Sequence, residues 1–156
     1  MRSLIRRAAV AAGATALVLG ASAGAAAAST GAPASHLYWA NNQAGTIVEA
    51  GLNGTSAHVI ASGQHGPQGV AVGASHLYWA NNQAGTIVEA NLNGTSAHVI
   101  ASGLFPAGVA VDASHLYWAN EITSTKGMIV EANLDGTGAK IIASRQNGPT
   151  GVAVGP

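Results

Sequence analysis

A stretch of 30 residues occurs twice in this chain. Residues 34–63 read ASHLYWANNQAGTIVEAGLNGTSAHVIASG, and residues 74–103 repeat that text with Gly51 changed to Asn91. A third, more diverged copy opens at Ala113 with ASHLYWAN. The step from His36 to His76 is 40 residues, and from His76 to His115 it is 39. A period of this size marks a repeat architecture. Each unit is one supersecondary element that buries its apolar faces only against its neighbours.

One repeat reads as four short strands. GVAV at 69–72 is apolar, β-branched and flanked by glycine, as a buried strand is. HLYWAN at 76–81 alternates, with Leu77 and Trp79 on one side and His76 and Tyr78 on the other. TIVEANL at 86–92 is the third strand and SAHVIAS at 96–102 the fourth. Asn93-Gly94 between them predicts a two-residue type I′ hairpin, with positive φ at both positions. Helix is the competing reading for so much alanine. It loses because Gly, Asn-Gly and Pro interrupt every run. Four antiparallel strands per roughly forty residues is the anatomy of a β-propeller blade, so the expected class is all-β.

The N-terminus is expected to stand apart from the fold. Arg2, Arg6 and Arg7 precede an apolar run that ends in small residues, the pattern of a secretory signal peptide. Residues 1–28 are assigned to it, with cleavage after Ala28 and Ala23 as the alternative, and 29–34 to a linker. The Arg6-Arg7 pair permits either general or twin-arginine export. The expected location is therefore secreted, with no membrane insertion after signal removal. The chain has no cysteine, which excludes disulfides and a lipoprotein anchor. After residue 28 only Lys126, Lys140 and Arg145 stand against six acids, a formal net charge of −3. A chain so poor in cations lacks the basic stripe that phosphate backbones require, so no nucleic-acid partner is expected.

LYWAN, the IVEANLNG or IVEANLDG run and the returning GVAV recur in order. Together they resemble the YWTD repeat of the low-density-lipoprotein-receptor class, and more closely its bacterial secreted type. The resemblance covers residues 35–156 and implies a six-bladed propeller used for binding. The departure is YWAN at Tyr38–Asn41, Tyr78–Asn81 and Tyr117–Asn120, where the family name implies Thr-Asp. Loss of the carboxylate weakens any carry-over of the polar contacts which that Asp makes in the family.

Three repeats, approximately 35–68, 69–107 and 108–156, supply half of such a ring. The first begins at its second strand. The last carries a spare first strand, residues 151–154, which reads as a latch. A homodimer completing a six-bladed ring is one expectation, and a truncated piece of a longer propeller is the alternative.

Strand order places VGAS and NGT turns on one face and the longer connections on the other. The long connections are also where the copies differ: QHGPQ at 64–68, LFPA at 104–107 and RQNGPT at 145–150, and NNQAG at 81–85 against NEITSTKG at 120–127. Varied loops on a rigid scaffold are the ordinary place for binding. His65, Gln68, Phe105, Glu121, Lys126 and Arg145 are the candidate ligand contacts, for an extracellular protein or glycan. No catalytic residue is assigned, because near-identical blades supply the same groups twice and no G-x-S-x-G elbow occurs. A propeller enzyme similar to the gluconolactonase or streptogramin-lyase groups is the runner-up. His36, His76 and His115 share one blade position, but no ligand spacing accompanies them, so no metal and no cofactor are expected. Glu49, Glu89 and Glu131 also repeat, mid-strand, which points to packing or hydrogen bonding. Asn53-Gly54-Thr55 and Asn93-Gly94-Thr95 fit a glycosylation sequon, but a turn explains them fully.

Overall fold

The computed structural model describes residues 35–103, 105–123 and 125–156. The expected signal peptide (1–28) and linker (29–34) lie outside the described residues. Every regular element described is a strand: β1 (His36–Asn41), β2 (Thr46–Gly51), β3 (His58–Ala61), β4 (Pro67–Val72), β5 (His76–Asn81), β6 (Thr86–Asn91), β7 (His98–Ser102), β8 (Pro106–Val111), β9 (His115–Thr123), β10 (Lys126–Asn133) and β11 (Lys140–Gln146). Among the described residues no helix is long and apolar enough to cross a membrane.

The strands form three antiparallel meanders, the blades of a partial β-propeller. Blade 1 is β1-β2-β3, blade 2 is β4-β5-β6-β7 and blade 3 is β8-β9-β10-β11. Strand alternation decides what each blade face buries. Leu77 pairs with Ala90 and Trp79 with Val88, and these four side chains meet Ile47 of blade 1. The opposite parity of blade 2, Tyr78, Ala80 and Ile87, meets Val109, Leu116, Trp118 and Val130 of blade 3. Each core is thus shared between two blades, and no blade owns one. Full burial of a large apolar side chain contributes about 1.5–3 kcal/mol, so the stacking itself holds the blades.

The first strands of successive blades lie backbone against backbone. A Cβ on Gly69 would sit 2.7 Å from the Ala107 carbonyl oxygen, and one on Gly108 would sit 2.7 Å from the Gly151 Cα. GVAV therefore needs its glycine for close approach. Residues Gly151–Val154 stand against β8 as β8 stands against β4, but they pair with no strand.

Two local expectations are corrected. The third and fourth strands are not joined by a two-residue type I′ hairpin. Positive φ falls at Gly54 (77°) and Ser56 (57°), and again at Gly94 (79°) and Ser96 (58°), but not at Asn53 or Asn93. The Asn53 Oδ1 accepts from the Thr55 N–H at 3.1 Å and the Thr55 hydroxyl at 2.7 Å, an Asx turn within a longer connection. The Gly51 N–H closes it on the Thr55 carbonyl at 3.0 Å. The extra residues of 120–127 are the second correction. They do not lengthen a loop; they extend β9 and β10, with Lys126 opposite Thr123. A hairpin that keeps pairing satisfies backbone groups a loop would leave to water.

Candidate functional site

The longer connections between β1 and β2, β3 and β4, and β5 and β6 meet on one face. Their backbones are stitched together: the Gln64 N–H donates to the Gly45 carbonyl at 2.9 Å and the Asn82 N–H to the Gly66 carbonyl at 3.0 Å. Both glycines have positive φ, 64° and 65°. A side chain at Gly45 would strike the Gln64 backbone, and one at Gly66 the Gln83 side chain. These contacts leave an open concavity of about 390 Å³ at the blade 1/blade 2 junction, lined by Asn42, Gln43, Gln64, His65 and Gln83 with Ala44 and glycines. The lining is amide and imidazole, with no carboxylate, ammonium or guanidinium.

Gln64 also ties the blades together. Its Oε1 accepts from the Trp79 indole N–H at 2.8 Å and the Asn81 amide at 2.9 Å, while its own amide donates to the Ser62 carbonyl at 3.0 Å. YWAN of one repeat is therefore anchored by the connection that ends the repeat before it. At the next junction the connection is shorter. There Asn120 accepts from the Phe105 N–H, and the buried Trp118 N–H has no partner among the described residues.

The six sequence candidates fall into two groups. His65 and Gln68 are exposed at the blade 1/blade 2 junction; His65 lines the concavity, and Gln68 sits on β4, not in a loop. Phe105, Glu121, Lys126 and Arg145 gather at the same end of blade 3. The Glu121 N–H donates to the Phe105 carbonyl at 2.9 Å, and the Phe105 side chain is 55% exposed. Glu121 and Lys126 sit on β9 and β10, and Arg145 on β11, so three of these four are strand residues. Arg145 has φ 59°, at the place where the other copies carry Gly63 (69°) and Gly103 (75°). No hydrogen bond or ion pair among the described residues joins the two groups. Asn42, Gln43 and Gln83 carry no sequence signal of their own, because their text is identical in copies one and two, whereas a binding loop is marked by difference between copies.

A second constellation lies on the blade faces. Glu49 lies 3.5 Å from His36 and 3.5 Å from His58, and Glu89 lies 3.5 Å from His76 and 3.5 Å from His98. In blade 3, Glu131 is 3.7 Å from His115, and Lys140 takes the second histidine's place at 2.9 Å. Sequence spacing hides these groups; the β1–β2–β3 register brings them together. In blade 3 the lysine keeps a charged partner beside the carboxylate at that place. No group of three or more His, Asp or Glu among the described residues is placed to hold a metal ion.

The same carboxylates accept from tyrosine: Tyr38 to Glu49 at 3.2 Å and Tyr78 to Glu89 at 3.3 Å. The repeated mid-strand glutamates are thus hydrogen-bonding residues. Burial first, then the adjacent carboxylate charge, pushes both phenols up to about 12. Blade 3 differs. Tyr117 donates to Asp112 at 3.0 Å, and Asp112 stands where Gly73 does in the previous copy. The Ser114 N–H and further donors hold the Asp112 carboxyl below the usual range. The two sequons and Asp135 form one kind of turn: the Asp135 Oδ1 accepts from the Thr137 hydroxyl at 2.7 Å, as Asn53 does from Thr55.

No family model and no curated protein matches the chain. Solved structures do. A chain from a crystal structure of a nidogen/laminin complex is 27% identical with a TM-score of 0.69, over 75% of this chain and 47% of that one. A protein assigned as TolB from Agrobacterium tumefaciens is 11% identical with a TM-score of 0.57, over 74% of this chain and 48% of that one. The chain spans about half the length of each of these two structures.

Proposed function

We propose that this chain, a YWTD-like β-propeller arc, is a secreted, non-catalytic binding module for an extracellular protein or glycan. The observation that carries the reading is the concavity on the long-connection face. Its walls are neutral amides and one imidazole, held by inter-blade hydrogen bonds. Such groups present donors and acceptors in fixed positions without a net charge, which suits sugar hydroxyls and exposed peptide backbone. The nearby blade 3 group adds an exposed aromatic ring, Phe105, and the charges of Glu121, Lys126 and Arg145. Aromatic rings and arginine are the residue types enriched at protein interfaces. The nidogen/laminin match supports a protein partner by likeness of fold. The absence of catalysis is part of the proposal: blades 1 and 2 offer the same groups in the same environments, whereas acid–base chemistry needs unlike ones.

A glycan array and a panel of extracellular matrix proteins, probed with the exported chain, test this. Binding is expected to fall about tenfold or more in His65→Ala and Gln83→Ala, as for loss of a good hydrogen bond. Ser75→Ala, on the opposite face, should leave it unchanged. Binding insensitive to the first two, or turnover of a lactone or ester lost on one substitution, would sink the reading.

A further inference from the structure

We infer that two copies of this chain close into one ring, blade 3 of each packing on blade 1 of the other through the junction that already joins blades 1 and 2. The inference is independent of what the loop face binds.

Most parts of that junction exist twice in the chain, once engaged and once more exposed; Val48 and Ala50, the copies of Val88 and Ala90, are buried in both. Ile47 is fully buried and Ile60 packs beside it against blade 2; in blade 3 the corresponding Ile129 is only half-buried and Ile142 is 48% exposed. Leu77 is fully buried by blade 1, whereas its copy Leu37 is 47% exposed. The free face of blade 3 therefore carries the groups that cover Leu77 and Trp79, and the free face of blade 1 carries their duplicates.

The polar contacts match as well. Gln146 donates to the Ser144 carbonyl at 2.9 Å, as Gln64 does to Ser62 at 3.0 Å. Gly148 keeps positive φ at 53°, as Gly66 does at 65°. Gln146 is thus held as Gln64 is, and its Oε1 is placed to receive Trp39 Nε1 and Asn41 Nδ2 of a second copy. The backbone completes the fit. Blade 1 has three strands where blades 2 and 3 have four, and β1 has no partner on its inner side among the described residues. Gly151–Val154 holds the inner-strand place next to β8 without a partner. Val70 pairs with Trp79, Ala71 with Tyr78 and Val72 with Leu77. The same register sets Val152 opposite Trp39, Ala153 opposite Tyr38 and Val154 opposite Leu37 of the other copy.

One chain cannot make this contact with itself, because blade 2 stands between its two free faces. Two chains make it twice about a two-fold axis. The three described blades from each give six, within the usual range of about 4–8 for closed propellers.

The solution mass of the whole chain, with whatever N-terminal processing accompanies expression, tests the closure. Light scattering should give twice the protomer mass. Gln146→Ala should weaken the dimer about tenfold or more in dissociation constant, two hydrogen bonds being lost per junction. Gln64→Ala removes the equivalent contacts within each chain. It should lower the melting temperature while leaving the dimer constant within about twofold, the sites being separate. Because the chain has no cysteine, the double variant Tyr38→Cys with Ala153→Cys holds no other thiols, and the closed ring brings Cys-substituted position 38 of one copy only against position 153 of the other. Oxidation should yield a covalent dimer. A monomer, an intrachain disulfide or an open ladder of higher multimers would overturn the inference.

Discussion

Blades 1 and 2 share one text and hold it differently. Leu37 and Leu77 occupy the same place in HLYWAN; the first is 47% exposed and the second fully buried. Trp39 is half-buried and bonded to no side chain among the described residues, while Trp79 is buried and donates to Gln64. The strands and the register are the same, His36 opposite Gly51 and His76 opposite Asn91. What differs is the presence of a preceding blade among the described residues. Local sequence makes the strand, and the neighbour makes it core.

The largest expected effect breaks that comparison directly. Leu77→Ala should lower stability by about 2–5 kcal/mol, the cost of a buried leucine cavity. Leu37→Ala should cost under about 1 kcal/mol in the free protomer. Urea unfolding at several protein concentrations reads both. If ring closure buries Leu37, its substitution should become costly as concentration rises, while the Leu77 effect stays constant.

Turn glycines give the next effect. Gly54 and Gly94 have φ of 77° and 79°, so an added side chain is strained in either. A Cβ at Gly54 meets nothing within 4 Å, whereas one at Gly94 would strike the Ile60 carbonyl of blade 1. Gly94→Ala should therefore cost about 1–3 kcal/mol more than Gly54→Ala, the range for overpacking. Thermal unfolding of the two variants side by side measures the difference.

Alkaline titration is a place where the copies should agree. Tyr38 and Tyr78 are both pushed up to about 12. An unfolded tyrosine loses its proton near about 10. The folded chain keeps its proton in the interval between, so stability is full below the unfolded value and falls as pH rises toward about 12. Tyrosinate absorbance should show both phenols titrating late. Glu89→Gln should lower the Tyr78 value only part of the way, because burial is the larger cause.

Arg145 is expected to give the smallest change. It holds φ 59° where two copies have glycine. Arg145→Gly should raise stability by up to ~1 kcal/mol, within the usual range for relieving such a position. If the same variant lowers affinity on the loop face, the strained arginine is retained for contact.

The strands were legible because their signals are local. Alternation in HLYWAN, β-branching in TIVEA and glycine around GVAV each act within a few residues. The candidate site was legible only as a face. His65 was found because its loop differs between copies, whereas Gln43 and Gln83 are unremarkable polar residues until two blades meet. Glu49 with His36 and His58 depends on strand register, which no spacing rule reveals. The Asn53 turn departs from the type I′ expectation because Asn-Gly has two uses. Here the asparagine spends its side chain on Thr55, and Ser56 rather than Asn53 adopts the left-handed conformation. The extension of β9 and β10 is not legible in the sequence, because inserted polar residues look alike whether or not they pair.

The hydrogen bonds from Trp79 and Asn81 to Gln64 cross the boundary of the sequence repeat. Repeat 1 thus ends with the acceptor for the donors that open repeat 2, and Gln146 recurs near the end of repeat 3, whereas repeat 2 ends in Phe105-Pro106-Ala107 and gives the Trp118 N–H no such partner among the described residues. Duplicating a period that ends in this glutamine would leave its seam intact, since acceptor and donors travel with their own copies. Unequal crossing-over at such a point would change the number of blades without spoiling that junction.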